Sequence, residues 1–232
     1  MAINVDAVYK TVLLILNQQQ RGYMTPDEFN KVGTQVQLNI FEKYEDDLNQ
    51  QYRVPQNDTE YANRIKNIEE NLQFFQRTGA TTYVGPHFTL TPTDIYRLGT
   101  VFYNGTELTQ YAQRNELTQL LLSPLTQPTV NFPVYLYENN LLYVYPTSIQ
   151  TGITISYLKT PANINWTYTV GALGQFVYNA NAVDAQNFEL NVSEQTNVIT
   201  RILAYAGVII NDPTIIQVAQ QEIIQEEQNS KT

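Results

Sequence analysis

The spacing of apolar residues changes twice along this chain, and this change limits the folds it can adopt. Over residues 4–77 apolar side chains recur every three or four positions, which is typical of amphipathic helices. Over residues 80–187 they follow short strands separated by turn residues, and the helical spacing then returns. The pattern predicts an α+β protein in three parts. These are a helical segment 1–79, a mostly antiparallel β-rich insertion 80–187, and C-terminal helices 188–232 packing on the N-terminal helices in a bundle.

The N-terminal helices have clear start and stop signals. Thr25, Pro26 and Glu28 predict the beginning of a long helix, because threonine caps, proline suits the first helical position and glutamate bonds back to the cap. A further helix is predicted to begin near Asp58 or Thr59. We expect it to end at Gly79, since glycine is the usual residue just past a helix C-terminus.

Two more helices are predicted near the C-terminus. Ser193 is the expected cap of the first, and Asp212 followed by Pro213 is the expected start of the second. Ile223 and Ile224 fall on the apolar face of this last helix. The polar tail that follows is expected to fray.

Turn residues divide the β-rich insertion. Gly85-Pro86 separates two short strands, and Asn104-Gly105 is a strong signal for a two-residue hairpin turn. Residues 114–122 predict a short helix before Ser-Pro. Strands are also predicted at 151–158, with alternate apolar residues on one face, and at 175–178.

One predicted hairpin is apolar on both faces. Residues 133–146 read PVYLYENNLLYVYP, where two strands flank a Glu-Asn-Asn turn without alternating apolar and polar residues. Such a hairpin needs a cover on each side. Tyrosine is common where two surfaces meet, because its ring buries area and its hydroxyl tolerates a polar rim. The second cover is either another part of the same chain or a neighbouring subunit, and the hairpin alone favours neither.

Composition excludes several classes of site. The 232 residues contain no cysteine and one histidine, so thiolate chemistry, disulfides and multi-histidine metal sites are excluded. The formal net charge of −9 disfavours a protein that grips phosphate backbones or docks on an anionic membrane. No secretion signal is recognisable, and no apolar run approaches the ~20 residues of a membrane helix. We expect no membrane partner.

The polar motifs predict no catalytic, cofactor or metal site, and we expect a protein that is not an enzyme. His87 follows a turn and reads as a packing histidine. A carboxylate cluster, comprising Glu42, Glu45, Asp46 and Asp47, reads as a solvated helix face. A Gly-Ala-Leu-Gly run at 171–174 lacks the lysine and hydroxyl residue of a phosphate-binding loop.

Several segments, in their order along the chain and in their residue composition, resemble segments of virion structural proteins of crAss-like tailed phages. The segments are NQQQRGYMTPDEFN (17–30), NELTQLLLSPLTQP (115–128), FPVY (132–135), LYVYP (142–146), ISYLKTPANINW (155–166), NFELNVSEQT (187–196) and ILAYAGVII (202–210). The resemblance covers most of the chain and contains no catalytic motif. It implies a ring or adaptor protein of the head-to-tail connector, located in the virion and made in the cytoplasm of the bacterial host.

The resemblance also implies the partners. Copies of the chain would form a closed ring, twelve-fold by family resemblance, that contacts the portal protein and other tail or connector proteins. Double-stranded DNA would pass through without specific binding, since an acidic lumen repels it. A tail or stopper component of the same particle is one alternative. The other is a β-rich glycan-binding module that uses exposed tyrosines and Trp166.

The subunit contacts are predicted at three places. They are the tyrosine-rich hairpin, the two-residue turn and the C-terminal helix, and the residues are Tyr135, Tyr137, Tyr143, Tyr145, Asn104, Gly105, Ile223 and Ile224. A ring subunit needs two different side surfaces that fit each other head to tail. Surfaces rich in Tyr, Asn, Gln and Thr suit permanent contacts, because few charges must be desolvated.

Overall fold

The computed structural model describes residues 2–18, 23–53, 59–105, 107–210, 217, 220, 221 and 223–225. The protein has an α+β fold. Its helices are α1 (Val5–Gln18), α2 (Pro26–Arg53), α3 (Thr59–Leu72), α4 (Arg114–Leu122) and α5 (Gln195–Ile210). Its strands are β1 (Ala2–Ile3), β2 (Gln76–Val84), β3 (His87–Leu90), β4 (Ile95–Tyr103), β5 (Glu107–Leu108), β6 (Gln110–Tyr111), β7 (Val134–Glu138), β8 (Leu141–Tyr145), β9 (Ile153–Lys159), β10 (Tyr168–Val170), β11 (Phe176–Tyr178) and β12 (Phe188–Asn191).

The chain folds into two compact units. One comprises Met1–Phe74 and Pro161–Thr232, and the other comprises Phe75–Thr160. We call them the helical unit and the barrel unit. The sequence pattern placed the second boundary of the β-rich insertion at residue 187, whereas residues 161–187 belong to the helical unit in the structure.

The helical unit joins the two ends of the chain. Helix α5 contacts both α1 and α2, and α2 also contacts α3. The apolar stripes of α1, α2 and α5 are buried, which is what their three- and four-residue spacing predicts. The fully buried side chains include Val8, Val12, Phe29, Val36, Val198 and Ile202. The predicted start of α2 is confirmed, since Thr25 and Glu28 bond reciprocally across its first turn.

Helix α2 contacts the extended segment that follows the barrel unit in the chain, from Pro161 to strand β12. The Gln37 side chain is buried, and its Nε2 donates to the carbonyl of Ala162 over 2.7 Å while its Oε1 accepts from the amide of Glu189 over 2.8 Å. Gly33 lies against Ile164, where an added Cβ would stand 2.4 Å from Cδ1. A small residue there lets the segment approach the helix closely. Strand β12 in this segment pairs antiparallel with β1.

The barrel unit is a sheet that closes on itself. Its strands are ordered β5-β4-β9-β2-β3-β8-β7-β6, and the two outermost strands are consecutive halves of one segment, 107–111. Thr109 lies between the halves, and both its amide and its hydroxyl donate to the carbonyl of Val101, over 3.1 and 2.8 Å. On the β7 side, the backbone amides of Gln110 and Ala112 donate to the carbonyls of Pro133 and Tyr135. Closure removes the two open edges that a flat sheet would expose.

The tyrosine-rich hairpin is β7–β8, and its two faces contribute to two different cores. One face enters the barrel core, whose buried members are Phe88, Val101, Tyr135, Leu142, Val144, Ile149, Ile153, Ile155 and Tyr157. The other face packs against α4 in a smaller cluster of Ala112, Leu117, Val134 and Leu136, with Leu120, Tyr143 and Tyr145 beside it. The same chain therefore covers both faces of the hairpin.

Several predicted boundaries are confirmed, and two are wrong. Helix α4 and the turns before β3, β5 and β8 lie where the sequence placed them. The third helix ends at Leu72, however, and Gly79 lies inside strand β2. An added Cβ at Gly79 would stand 2.6 Å from the ring of Pro92, so close packing explains this glycine rather than a helix end. Ser193 is not the cap: Asn191 caps a single 3₁₀ turn at Val192–Glu194 that leads into α5, and the Asn191 side chain accepts from the amide of Ser193.

One prediction lies outside the described residues, and three strands, β1, β10 and β12, were not predicted. The helix start at Asp212 and Pro213 falls in 211–216, which the structure does not describe. The predicted strand at 175–178 is confirmed as β11, but its partner β10 was not predicted. The two strands pair only with each other, as a separate two-stranded sheet.

Candidate assembly surfaces

The four hairpin tyrosines named as subunit contacts are mostly covered by the chain itself. Tyr135 is buried in the barrel core, and burial raises the pKa of its hydroxyl. Tyr137, Tyr143 and Tyr145 are half-buried. Their role as subunit contacts stays a prediction, but a missing cover no longer supports it, because α4 supplies that cover.

The other predicted contact residues are more exposed. Asn104 and Gly105 form the turn after β4, both with positive φ, and both are exposed. Ile223 is half-buried, and Ile224 is largely exposed. Most residues around these two isoleucines lie outside the described part of the chain. These contact assignments also stay predictions.

The polar motifs occupy ordinary structural positions. The ring of His87 lies 5.7 Å from the ring of Tyr143. Glu42, Asp46 and Asp47 line a shallow depression along α2, together with Lys43 and Arg201. In the part of the chain that the structure describes, no group of three or more His, Asp or Glu side chains is placed to hold a metal ion.

The last two residues of α4 and the loop that follows expose large apolar side chains. We call residues 121–132 the apolar loop. Leu122 is 79% exposed, Leu125 is 96% exposed and Phe132 is 79% exposed. Hydrogen bonds hold the loop, since Gln127 Nε2 donates to the carbonyl of Leu121 over 3.1 Å and the amide and carbonyl of Thr129 bond reciprocally with Phe132. Exposed apolar clusters of this kind mark interaction sites.

A second such surface is the β10–β11 pair, which we call the apolar hairpin (168–178). Both of its strands are exposed apart from the half-buried Tyr178, and Leu173 at its tip is 93% exposed. Val170 is 64% exposed, and Phe176 packs edge-on to Tyr168. The tip is closed where the amide of Gly171 donates to the carbonyl of Gln175 over 2.8 Å. A two-stranded hairpin this short is marginal by itself, so something else must hold it.

Trp166 holds the base of the apolar hairpin. Its indole is only 3% exposed and stacks on Tyr168 and Tyr178, with ring centroids 5.9 and 5.5 Å apart. Its backbone amide donates to Asn30 Oδ1 over 2.8 Å. Tyr9 packs on the same indole, and burial raises the pKa of the Tyr9 hydroxyl. Trp166 is therefore an anchor, and it is not available to stack on a sugar ring.

Both apolar surfaces lie in a part of the sequence that is almost free of charge. Between residues 117 and 183, only Glu138 and Lys159 are charged. Glu138 forms a bidentate pair with Arg114 at the start of α4, and this partner lowers the pKa of the Glu138 carboxyl. The sequence analysis did not identify either surface. The charge-poor stretch is the signal that points to both.

No protein-family model matches the chain, and no curated protein matches it. Among the described residues, no helix combines the length and apolar character needed to cross a bilayer.

Proposed function

We propose that the protein is a structural subunit of a tailed-phage virion, a ring protein of the adaptor or connector type. It assembles below the portal, joins head to tail and surrounds the DNA channel. The observation that carries the proposal is the apolar loop, where a hydrogen-bonded backbone presents Leu122, Leu125 and Phe132 to solvent. The resemblance to crAss-like phage virion proteins supplies the kind of assembly.

The surfaces suit permanent assembly rather than transient binding. Obligate interfaces are more apolar than transient ones, and the cores of interfaces are depleted in charged residues. The apolar loop contains no charged residue, and neither does the apolar hairpin. Assembly would therefore bury apolar area without the cost of desolvating ions.

The net charge of −9 fits a channel protein that DNA slides past. A negative lumen repels the phosphate backbone, so the genome is not retained by specific contacts. In this proposal the acidic side chains of α2, such as Glu42 and Asp46, are candidates for the lumen. A reconstruction of the assembled ring tests this, and a lumen lined by Lys and Arg would contradict it.

A tail or stopper component of the same particle is the second candidate function. It uses the same apolar surfaces, and it differs in which virion protein lies above and below the ring. The glycan-binding alternative loses its main residue, because Trp166 is buried beneath Tyr9, Tyr168 and Tyr178.

Native mass spectrometry and negative-stain microscopy of the purified chain, with and without the portal protein of its phage, test the proposal. We expect ring-shaped oligomers on the portal. Assembly only in the presence of the portal would still agree with the proposal, since a template can supply the first contacts. A chain that stays monomeric with the portal present would contradict it.

A further inference from the structure

We propose that the apolar hairpin of one copy docks on the apolar loop of the next copy. The inference rests on the proposed function, because it names the contact by which copies would join into a ring. A closed ring with head-to-tail contacts needs two different surfaces on each subunit that fit each other. The hairpin at 168–178 and the loop at 121–132 are two such surfaces, one on each compact unit.

The two surfaces are of comparable size. If a fully exposed large side chain contributes ~200 Å², the exposed apolar residues amount to roughly 500 Å² on one face of the hairpin and roughly 700 Å² on the loop. These residues are Tyr168, Val170, Leu173 and Phe176 on the hairpin, and Leu121, Leu122, Leu125, Val130 and Phe132 on the loop. A standard stable interface buries about 800 Å² on each partner. Neighbouring polar atoms would supply the remainder.

Charge favours a second copy as the occupant. Two chains of net charge −9 repel each other, so a contact between copies is opposed least where both surfaces carry no charge. No Asp, Glu, Lys or Arg occurs within the hairpin or within the loop. A partner with an acidic or basic docking face would find no counter-charge on either surface, whereas each surface is the uncharged complement that the other needs.

Hydrogen bonds within each surface hold its backbone, which lowers the entropic cost of association. The hairpin is fixed at its base, where Thr167 Oγ1 donates to the carbonyl of Asn179 over 2.6 Å, and at its tip, where Leu173 donates to the side chain of Gln175. The loop is fixed where the Thr126 amide donates to the carbonyl of Ser123 over 3.1 Å. Neither surface has to fold on binding.

Cysteine cross-linking tests the contact, because the native chain has no cysteine. The Leu173→Cys and Leu125→Cys variants each place one thiol on one surface, and both positions are exposed enough to leave the fold intact. The variants are mixed at high concentration with a short bismaleimide cross-linker and separated on a denaturing gel. We expect the mixture to form a covalent dimer that neither variant forms alone. A chain carrying both substitutions should give a ladder of multimers.

Leu14→Cys is the matched control, since Leu14 is an exposed leucine on α1 outside both surfaces. Mixed with Leu173→Cys, it should give no dimer. Dimers from Leu173→Cys alone, or no dimer in the Leu173→Cys and Leu125→Cys mixture, would overturn the inference. Rings that form on the portal without this cross-link would overturn the contact and leave the proposed function standing. If no ring formed on the portal at all, that result would instead contradict the proposed function.

Discussion

The indole nitrogen of Trp166 donates a hydrogen bond to Oδ1 of Asp6 over 3.0 Å, joining two residues that are 160 positions apart. Asp6 lies in the first turn of α1 and also accepts from Lys10 over 2.7 Å. Through this bond and the stacking on Tyr168, one buried side chain connects the N-terminal helix to the base of the apolar hairpin. The position of the hairpin on the helical unit therefore depends on Trp166.

Replacing Trp166 by alanine should destabilise the protein by about 3–5 kcal/mol, because it removes a large buried ring and opens a cavity. The free energy of unfolding in urea is measured by circular dichroism, since the variant lacks the only tryptophan. Val170→Ala is the control, as it shortens an exposed side chain of the same hairpin and should change stability by less than about 0.5 kcal/mol. Equal effects of the two substitutions would contradict the anchoring role.

Leu117 and Leu122 lie on the same helix, α4, but have opposite environments. Leu117 is buried against the outer face of the tyrosine-rich hairpin, whereas Leu122 is exposed. Leu117→Ala should lower the free energy of unfolding by about 2–4 kcal/mol, since it removes part of the hairpin's cover. Leu122→Ala should leave it within about 0.5 kcal/mol. If Leu117→Ala were neutral, α4 would not be the cover that the hairpin needs.

Local signals in the sequence predicted most of the elements of the fold. The capping box at Thr25 and Glu28 and the turn at Asn104-Gly105 depend on neighbouring residues alone, and both are present. Gly79 was misassigned because a glycine that ends a helix and one that allows close packing look alike in sequence. Closure of the barrel depends on the pairing of β6 with β7, which joins Gln110 to Val134 across an intervening helix, and no local pattern encodes it.

The candidate surfaces could be predicted only in part. The two-faced hairpin was correctly identified as needing two covers, but the second cover is α4, which begins about twenty residues earlier in the chain. Apolar residues in the loop, such as Leu125, look the same in sequence whether they are buried or exposed. Only the fold separates Leu117, which is buried, from Leu122, which is exposed.

Gln37 is a polar side chain in the core of the helical unit, and it should be sensitive to substitution. Its side chain donates to the backbone carbonyl of Ala162 and accepts from the backbone amide of Glu189. Gln37→Ala therefore leaves two backbone groups without these partners. We expect a loss of about 2–4 kcal/mol in the free energy of unfolding. Gln35→Ala, two residues away on the exposed face of α2, should cost less than about 0.5 kcal/mol. Urea unfolding measures the free energy of unfolding of both variants. Similar losses in the two would contradict the bridging role of Gln37.

Glu28 should make the stability of α2 dependent on pH. Its Oε2 accepts from the amide of Thr25 over 2.9 Å and from the Thr25 hydroxyl over 2.7 Å. These bonds favour the charged carboxylate and lower the pKa of Glu28 below its ordinary value of 4.5. A carboxyl with a lowered pKa in the folded state binds fewer protons than in the unfolded state, so stability rises with pH. The contribution is complete above the ordinary value and is lost as the pH falls through the folded-state pKa.

Glu28→Gln should therefore be less stable than the native chain at neutral pH, by about 1 kcal/mol, because it weakens the capping box and removes a negative charge from a helix N-terminus. The difference should shrink as the pH is lowered past 4.5, since the native carboxyl is then protonated as well. Urea unfolding across this pH range measures the difference. Glu70→Gln, on the exposed surface of α3, controls for the change in net charge. A stability gap between native and Glu28→Gln chains that stays constant with pH would show that the carboxylate of Glu28 does not stabilise the start of α2.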